Sequence, residues 1–171
     1  LGELKITAIV KIFKKMKLDT HENLGFGPVR VPETDMHTVG MWWALPPAFT
    51  QGFSNDALQG AMVGIASTLG IVAPLLLMCA PRDIKVVYQV KSPATDLPTL
   101  FLYDQYPGGV GLSEKAYEMQ QMLLEGALQL IEACACEHGC PSCVGPAAGV
   151  GPHGKEDAVR ILRELIRVCQ A

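Results

Sequence analysis

From Ala57 to Pro81 the chain runs 25 positions without a charged residue, AMVGIASTLGIVAPLLLMC being its core. A stretch so long and so apolar must leave water, either into a protein interior or into a bilayer. Gln59, Ser67, Thr68, three glycines and Pro74 interrupt it, and basic flanks of the kind that orient a membrane span are missing. A span would also leave two strand-rich halves on opposite sides of a membrane. The pattern therefore predicts a buried helix, broken or kinked at Pro74. Ser54 or Asn55 is placed to cap it, with Asp56 in the first turn.

At 171 residues the chain suits one domain with a substantial core. Before the apolar helix, LKITAIVKIFKKMK reads as a strand or hairpin edge, residues 19–32 as a loop with a short strand, and Met36 to Pro46 as a second strand. After it come two further strands, IKVVYQV and TLFLYDQ, separated by the turn-like KSPATDLP. A long helix, with Ser113 as its cap, is expected up to Cys134, and a last helix from Lys155 to about Cys169. Strands grouped early and helices late predict an α+β fold, a mixed or antiparallel sheet with packed helices. The chain opens at Leu1 directly in a strand-like pattern, as expected of a processed chain or a piece of a longer one, and shows no secretory signal. A cytoplasmic setting is the expectation, and there clustered cysteines more often bind metal or do redox chemistry than form structural disulfides.

Four of the six cysteines fall within ten residues, as Cys134, Cys136, Cys140 and Cys143. Cys140-Pro-Ser-Cys143 has the spacing of a zinc knuckle, in which a tight turn aims two sulfurs at one ion. Cys134 and Cys136, at the fraying end of the preceding helix, supply the other pair. A local four-cysteine zinc site over about 134–153 follows, although an iron–sulfur cluster also uses four thiolates. The competing chemistry takes Cys140-Pro-Ser-Cys143 alone as a thiol redox pair, which needs its first thiol at a helix N-terminus. A zinc deaminase is excluded, since the order here is C-P-x-C and no H-x-E accompanies it. His138 and His153 lie close enough to replace one cysteine but read as solvent-facing. Cys79 and Cys169 read as small buried hydrophobes.

The stretch YDQYPGGVGL sets a glycine-rich loop between strand and helix. It could offer N–H groups to a phosphate, or simply be a tight strand-to-helix turn. No Walker motif or hydrolase elbow is present. His21-Glu22, His37 and Asp104 lack a nucleophile–base spacing and read as structural. The net charge of −3 gives no global case for nucleic acid, but nine of the 14 Lys and Arg lie near the two ends. Lys11, Lys14 and Lys15 at one end, and Arg160, Arg163 and Arg167 on one side of the last helix, are candidate phosphate contacts.

Taken in order, His21-Glu-Asn, Met36-His-Thr, Pro81-Arg-Asp-Ile, the Tyr103–Leu112 motif and the cysteine cluster resemble the C-terminal zinc-binding domain of the mitomycin-repair-factor-type helicases, superfamily-2 DNA repair enzymes of the DEAD/DEAH class. The resemblance runs from about Gly2 to Cys169. It implies that the four clustered cysteines hold one zinc and that the domain follows an ATP-driven 3'–5' motor. With the motor outside these residues, the resemblance implies a non-catalytic accessory domain, partnered by the motor and by DNA, expected to be single-stranded.

Overall fold

The computed structural model describes residues 1–170. Its strands are β1 (Gly2–Ala8), β2 (Ile12–Met16), β3 (Asn23–Pro28), β4 (Thr34–Ala44), β5 (Ile84–Gln89) and β6 (Thr99–Asp104). Its helices are α1 (Pro47–Thr50), α2 (Asn55–Leu77), α3 (Leu112–Glu118), α4 (Gln120–Ala133), α5 (Ala147–Val150) and α6 (Gly154–Cys169). Four strands make one sheet in the order β1-β4-β6-β5, each neighbouring pair antiparallel. The expected α+β class, with an antiparallel sheet and packed helices, is the observed one. β2 and β3 pair only with each other, as a ribbon inserted between β1 and β4.

Register decides where the core lies. Met41 sits opposite Leu102 and Trp43 opposite Leu100, while Val86 pairs with Leu102 from the other side. Cross-strand partners share a face, so Met41, Trp43, Leu100, Leu102, Ile84 and Val86 line one side of the sheet. The helices bury that side.

α2 is the centre of the helical layer. Ser54 Oγ accepts a bond from the Ala57 N–H at 3.2 Å, which fixes its start. Leu58, Ala61, Met62, Ile65, Leu69, Val72 and Leu77 recur at helical spacing and are buried against β5, α4 and α6. Each large side chain so buried contributes roughly 1.5–3 kcal/mol. By length and composition α2 could cross a bilayer, but its apolar face is enclosed in this protein core, as the sequence predicts. Gly60 shows how close the packing is: a Cβ there would overlap the Val150 carbonyl.

Three details differ from the sequence expectation. α2 does not break at Pro74 but runs through it to Leu77, with Met78 closing the helix in a left-handed conformation. The proline leaves the carbonyl four residues back without its usual partner. That residue, Gly70, is exposed, so its unpaired carbonyl is open to water. The single helix expected up to Cys134 is two, α3 and α4, parted at Met119. α3 packs on β4 and β6, whereas α4 packs on α2 and α6. Ser113 does not cap α3 either. Gly111 holds the cap position, and the Ser113 hydroxyl is engaged elsewhere.

Candidate metal centre and its surroundings

α4 ends where Cys134 turns to extended backbone, its N–H still bonded to the Ile131 carbonyl. The chain then folds back through Gly139, whose φ of 117° and close approach to Val144 and the Gly145 carbonyl leave no room for a side chain. The N–H groups of Cys143 and Gly145 both bond to the Cys140 carbonyl at 3.0 Å, closing the knuckle turn.

This backbone brings all four sulfurs together. They lie within 4.8 Å of one another, and four of the six edges measure 3.5–3.6 Å: Cys134–Cys136, Cys134–Cys140, Cys136–Cys143 and Cys140–Cys143. A tetrahedron of sulfurs at the Zn–S distance of about 2.3 Å has edges of about 3.8 Å. The donor set, its charge and its size therefore fit one structural Zn2+. Every cysteine is a free thiol, so no disulfide competes.

The four thiols are unequal. The Cys136 backbone, then the neighbouring thiols, hold Cys134 down to about 7. Burial pushes Cys143 up to about 12. A bound Zn2+ deprotonates its thiol ligands outright, so it overrides this inequality. The redox alternative is not favoured: Cys140 follows a loop and opens no helix, and Cys143 is buried with its thiol held protonated. His138 and His153 are exposed beside Glu137 and Glu156, away from the sulfurs, as expected. Cys79 and Cys169 are half-buried against the core rather than fully enclosed.

Two sets of hydrogen bonds tie the knuckle to the helical layer. Thr68 of α2 donates to the Cys143 carbonyl at 3.3 Å, and to that of Gly64 at 2.8 Å. Lys155, in the first turn of α6, donates to the carbonyls of Cys134 and Cys136 at 2.7 and 2.6 Å. In the sequence Lys155 signals only a basic residue at the wrong end of a helix, which does not reveal this clamp. Replacing it with Met is expected to cost about 2 kcal/mol, because two bonds from a charged donor disappear. Zinc transfer to a colorimetric chelator should quicken in parallel. An unchanged transfer rate would show that the carbonyls need no clamp.

The glycine-rich loop resolves as a turn built around a carboxylate. Asp104, at the end of β6, is fully buried. It accepts from the N–H groups of Val110 (2.6 Å), Leu112 (3.3 Å) and Ser113 (2.8 Å) and from the Ser113 hydroxyl (2.5 Å). Thr38 Oγ donates to the carbonyls of Asp104 and Tyr106, and the Gly108 N–H to that of His37. The donors a phosphate would need are thus taken by the chain's own carboxylate. His37, His21 and Glu22 are all exposed.

The two basic groups part company. Arg160, Arg163 and Arg167 line an open cleft of about 530 Å3 beside the knuckle, together with Lys155 and the carboxylates of Glu132, Glu137, Glu156 and Glu164. Each arginine has a partner: Arg160 bonds to the Gln51 carbonyl and lies 4.4 Å over Phe53, Arg163 pairs with Glu132 at 2.8 Å, and Arg167 with Glu164 at 2.6 Å. The stripe is therefore balanced by acids that the helical spacing alone does not reveal. Lys11, Lys14 and Lys15 lie on the ribbon. The ribbon leaves from the Thr34 end of β4, whereas Arg160 anchors to Gln51 beyond its other end. An eleven-residue strand separates them, about 33 Å.

Residues 65–144 match the family model of the MrfA Zn-binding domain. Over 164 residues the chain is 38% identical to an uncharacterized ATP-dependent helicase of Bacillus subtilis, YprA, covering 96% of this chain and 22% of that protein. A crystal structure of the DUF1998 helicase MrfA bound to DNA superposes with a TM-score of 0.79 at 38% identity, covering 96% of this chain and 22% of that one. MrfA bound to DNA and AMPPNP gives 0.70 at 37% identity, over 94% and 20%. The chain thus spans about a fifth of the length of these helicases. Residues 65–144 thus match the MrfA Zn-binding domain family, and nearly the whole chain is similar in sequence and fold to MrfA.

Proposed function

We propose that residues 1–171 are a single non-catalytic accessory domain of an ATP-dependent DNA repair helicase, which braces the motor and helps hold DNA, in a cytoplasmic setting. Cys134, Cys136, Cys140 and Cys143 are its four zinc ligands. The observation that carries this reading is a closed four-thiolate site inside a chain that aligns along 96% of its length with a helicase bound to DNA. Four thiolates fill a tetrahedral zinc and leave no position for a reacting water, so the ion fastens structure. The parent's ATP hydrolysis and 3'–5' unwinding belong to the motor. DNA engagement, on a single strand, rests on the basic groups: Lys11, Lys14 and Lys15 on the ribbon, and Arg160, Arg163 and Arg167 around the cleft.

The test is salt-dependent binding of single-stranded DNA by the intact helicase. Charge reversal at Lys11, Lys14 and Lys15 should flatten the dependence of log affinity on log salt by about 0.7 for each phosphate no longer neutralised. Reversal at Arg160, Arg163 and Arg167 should do less, because Arg163 and Arg167 are already paired with acids and Arg160 is held by Gln51 and Phe53. If neither set changes the slope, the domain only braces the motor.

A further inference from the structure

The β2–β3 ribbon stands outside the four-stranded sheet, and the extensive helix and sheet packing does not include it. A two-stranded ribbon has no core of its own, yet this one displays large apolar side chains. Ile12 is 65% exposed and Phe26 68% exposed, with Leu18 and Leu24 toward the tip. Register puts Lys14 directly opposite Phe26, and Ile12 opposite Pro28, so these four share one face. On the other face Phe13 lies across Gly27, where a Cβ would meet its ring at 2.6 Å, with Lys15 at 5.7 Å from the ring centre. Phe13 is thus packed on the ribbon itself. Phe26 is not.

Charge separates the possible occupants of the free face. Between Lys11 and Arg30 the chain has five basic and two acidic side chains, net +3 in a chain of net charge −3. Among the described residues none of Lys11, Lys14, Lys15 and Lys17 forms an ion pair, in contrast to Arg163 and Arg167. Lys14 beside the exposed Phe26 ring, on a ribbon of net positive charge, suits a ligand with phosphates and flat apolar rings together. An apolar protein surface would leave those ammonium groups without partners.

We infer that this face of the ribbon is a stacking platform for unpaired bases, with Phe26 against a base, Ile12 and Pro28 flanking it, and Lys14 with its neighbours on the phosphates. It rests on the reading of the domain as DNA-engaging and names the element that does so. Stacking on an aromatic ring tolerates any base, so the platform should not select sequence.

The test measures binding of a fluorescent oligothymidylate to the intact helicase, and its salt dependence, in wild type, Phe26→Ala, Phe26→Trp and Lys14→Gln. Phe26 is exposed, so its variants should fold. Phe26→Ala should weaken binding about tenfold without changing the salt slope, and Phe26→Trp should restore it. Lys14→Gln should lower the slope by about 0.7 for the one phosphate it neutralises. Unchanged affinity in Phe26→Ala overturns the platform. If the arginine variants of α6 then weaken binding, DNA engagement survives at another surface. If no substitution in either group matters, the DNA-engaging reading falls too. Loss of domain–motor association in Phe26→Ala, with DNA affinity intact, would assign the face to the motor and reject the platform.

Discussion

Cys143→Ser is expected to empty the zinc site and unfold the knuckle. Cys143 is the most deeply placed of the four sulfurs: it is buried, and its carbonyl is held by Thr68. An alcohol there neither deprotonates readily nor matches thiolate as a soft donor. Structural zinc sites in isolated finger peptides contribute about 10–16 kcal/mol of apparent binding energy. Here α2, α4 and α6 keep a core without the metal, so the loss should concentrate on residues 134–153. Elemental analysis should find less than one equivalent of zinc. Hydrogen exchange should show amide protection disappearing from that segment first. Because ligand thiols must be deprotonated, acidification should release the metal from the wild type along the same course. Full zinc content with unchanged melting in the serine variant would refute a four-cysteine site.

Asp104→Ala should produce the other large effect, far from any cysteine ligand. It leaves the N–H groups of Val110, Leu112 and Ser113 without their acceptor. Each stranded donor costs about 1–3 kcal/mol, so a total of at least about 3 kcal/mol is expected. For a chain of this size that lowers the melting temperature by roughly 10 °C. Asp104→Asn should fall between, since one amide oxygen replaces two carboxylate oxygens. A melting temperature close to that of wild type in Asp104→Ala would mean that the loop re-forms around water.

What the sequence disclosed was mostly what periodicity and spacing encode. The apolar run of α2 had to be buried, the β-branched and aromatic runs in β4 and β6 marked strands, and the C-x-C and C-x2-C spacings announced that four sulfurs would cluster. What stayed hidden depended on partners distant in sequence. Arg163 finds Glu132 only because α6 packs on α4, and Lys155 reaches the carbonyls of Cys134 and Cys136 across a turn of the chain. The split at Met119 has no glycine or proline to announce it and arises where the helix changes packing partners. Asp104 read as an ordinary structural acid, since its role exists only once the glycine loop has wrapped around it. The ribbon's lysines were legible as charge, but their separation from the α6 arginines needed the length of β4.

The cradle around Asp104 is, in binding terms, a receptor synthesised together with its guest. Host and guest are six to nine residues apart in the same chain, so the carboxylate competes at an effective concentration of millimolar or higher. A free phosphate would have to displace it and then leave a carboxylate stranded in the interior. The loop's resemblance to an anion-binding turn therefore records how it folds, not what visits it, and nucleotide added to this domain should find that seat already taken.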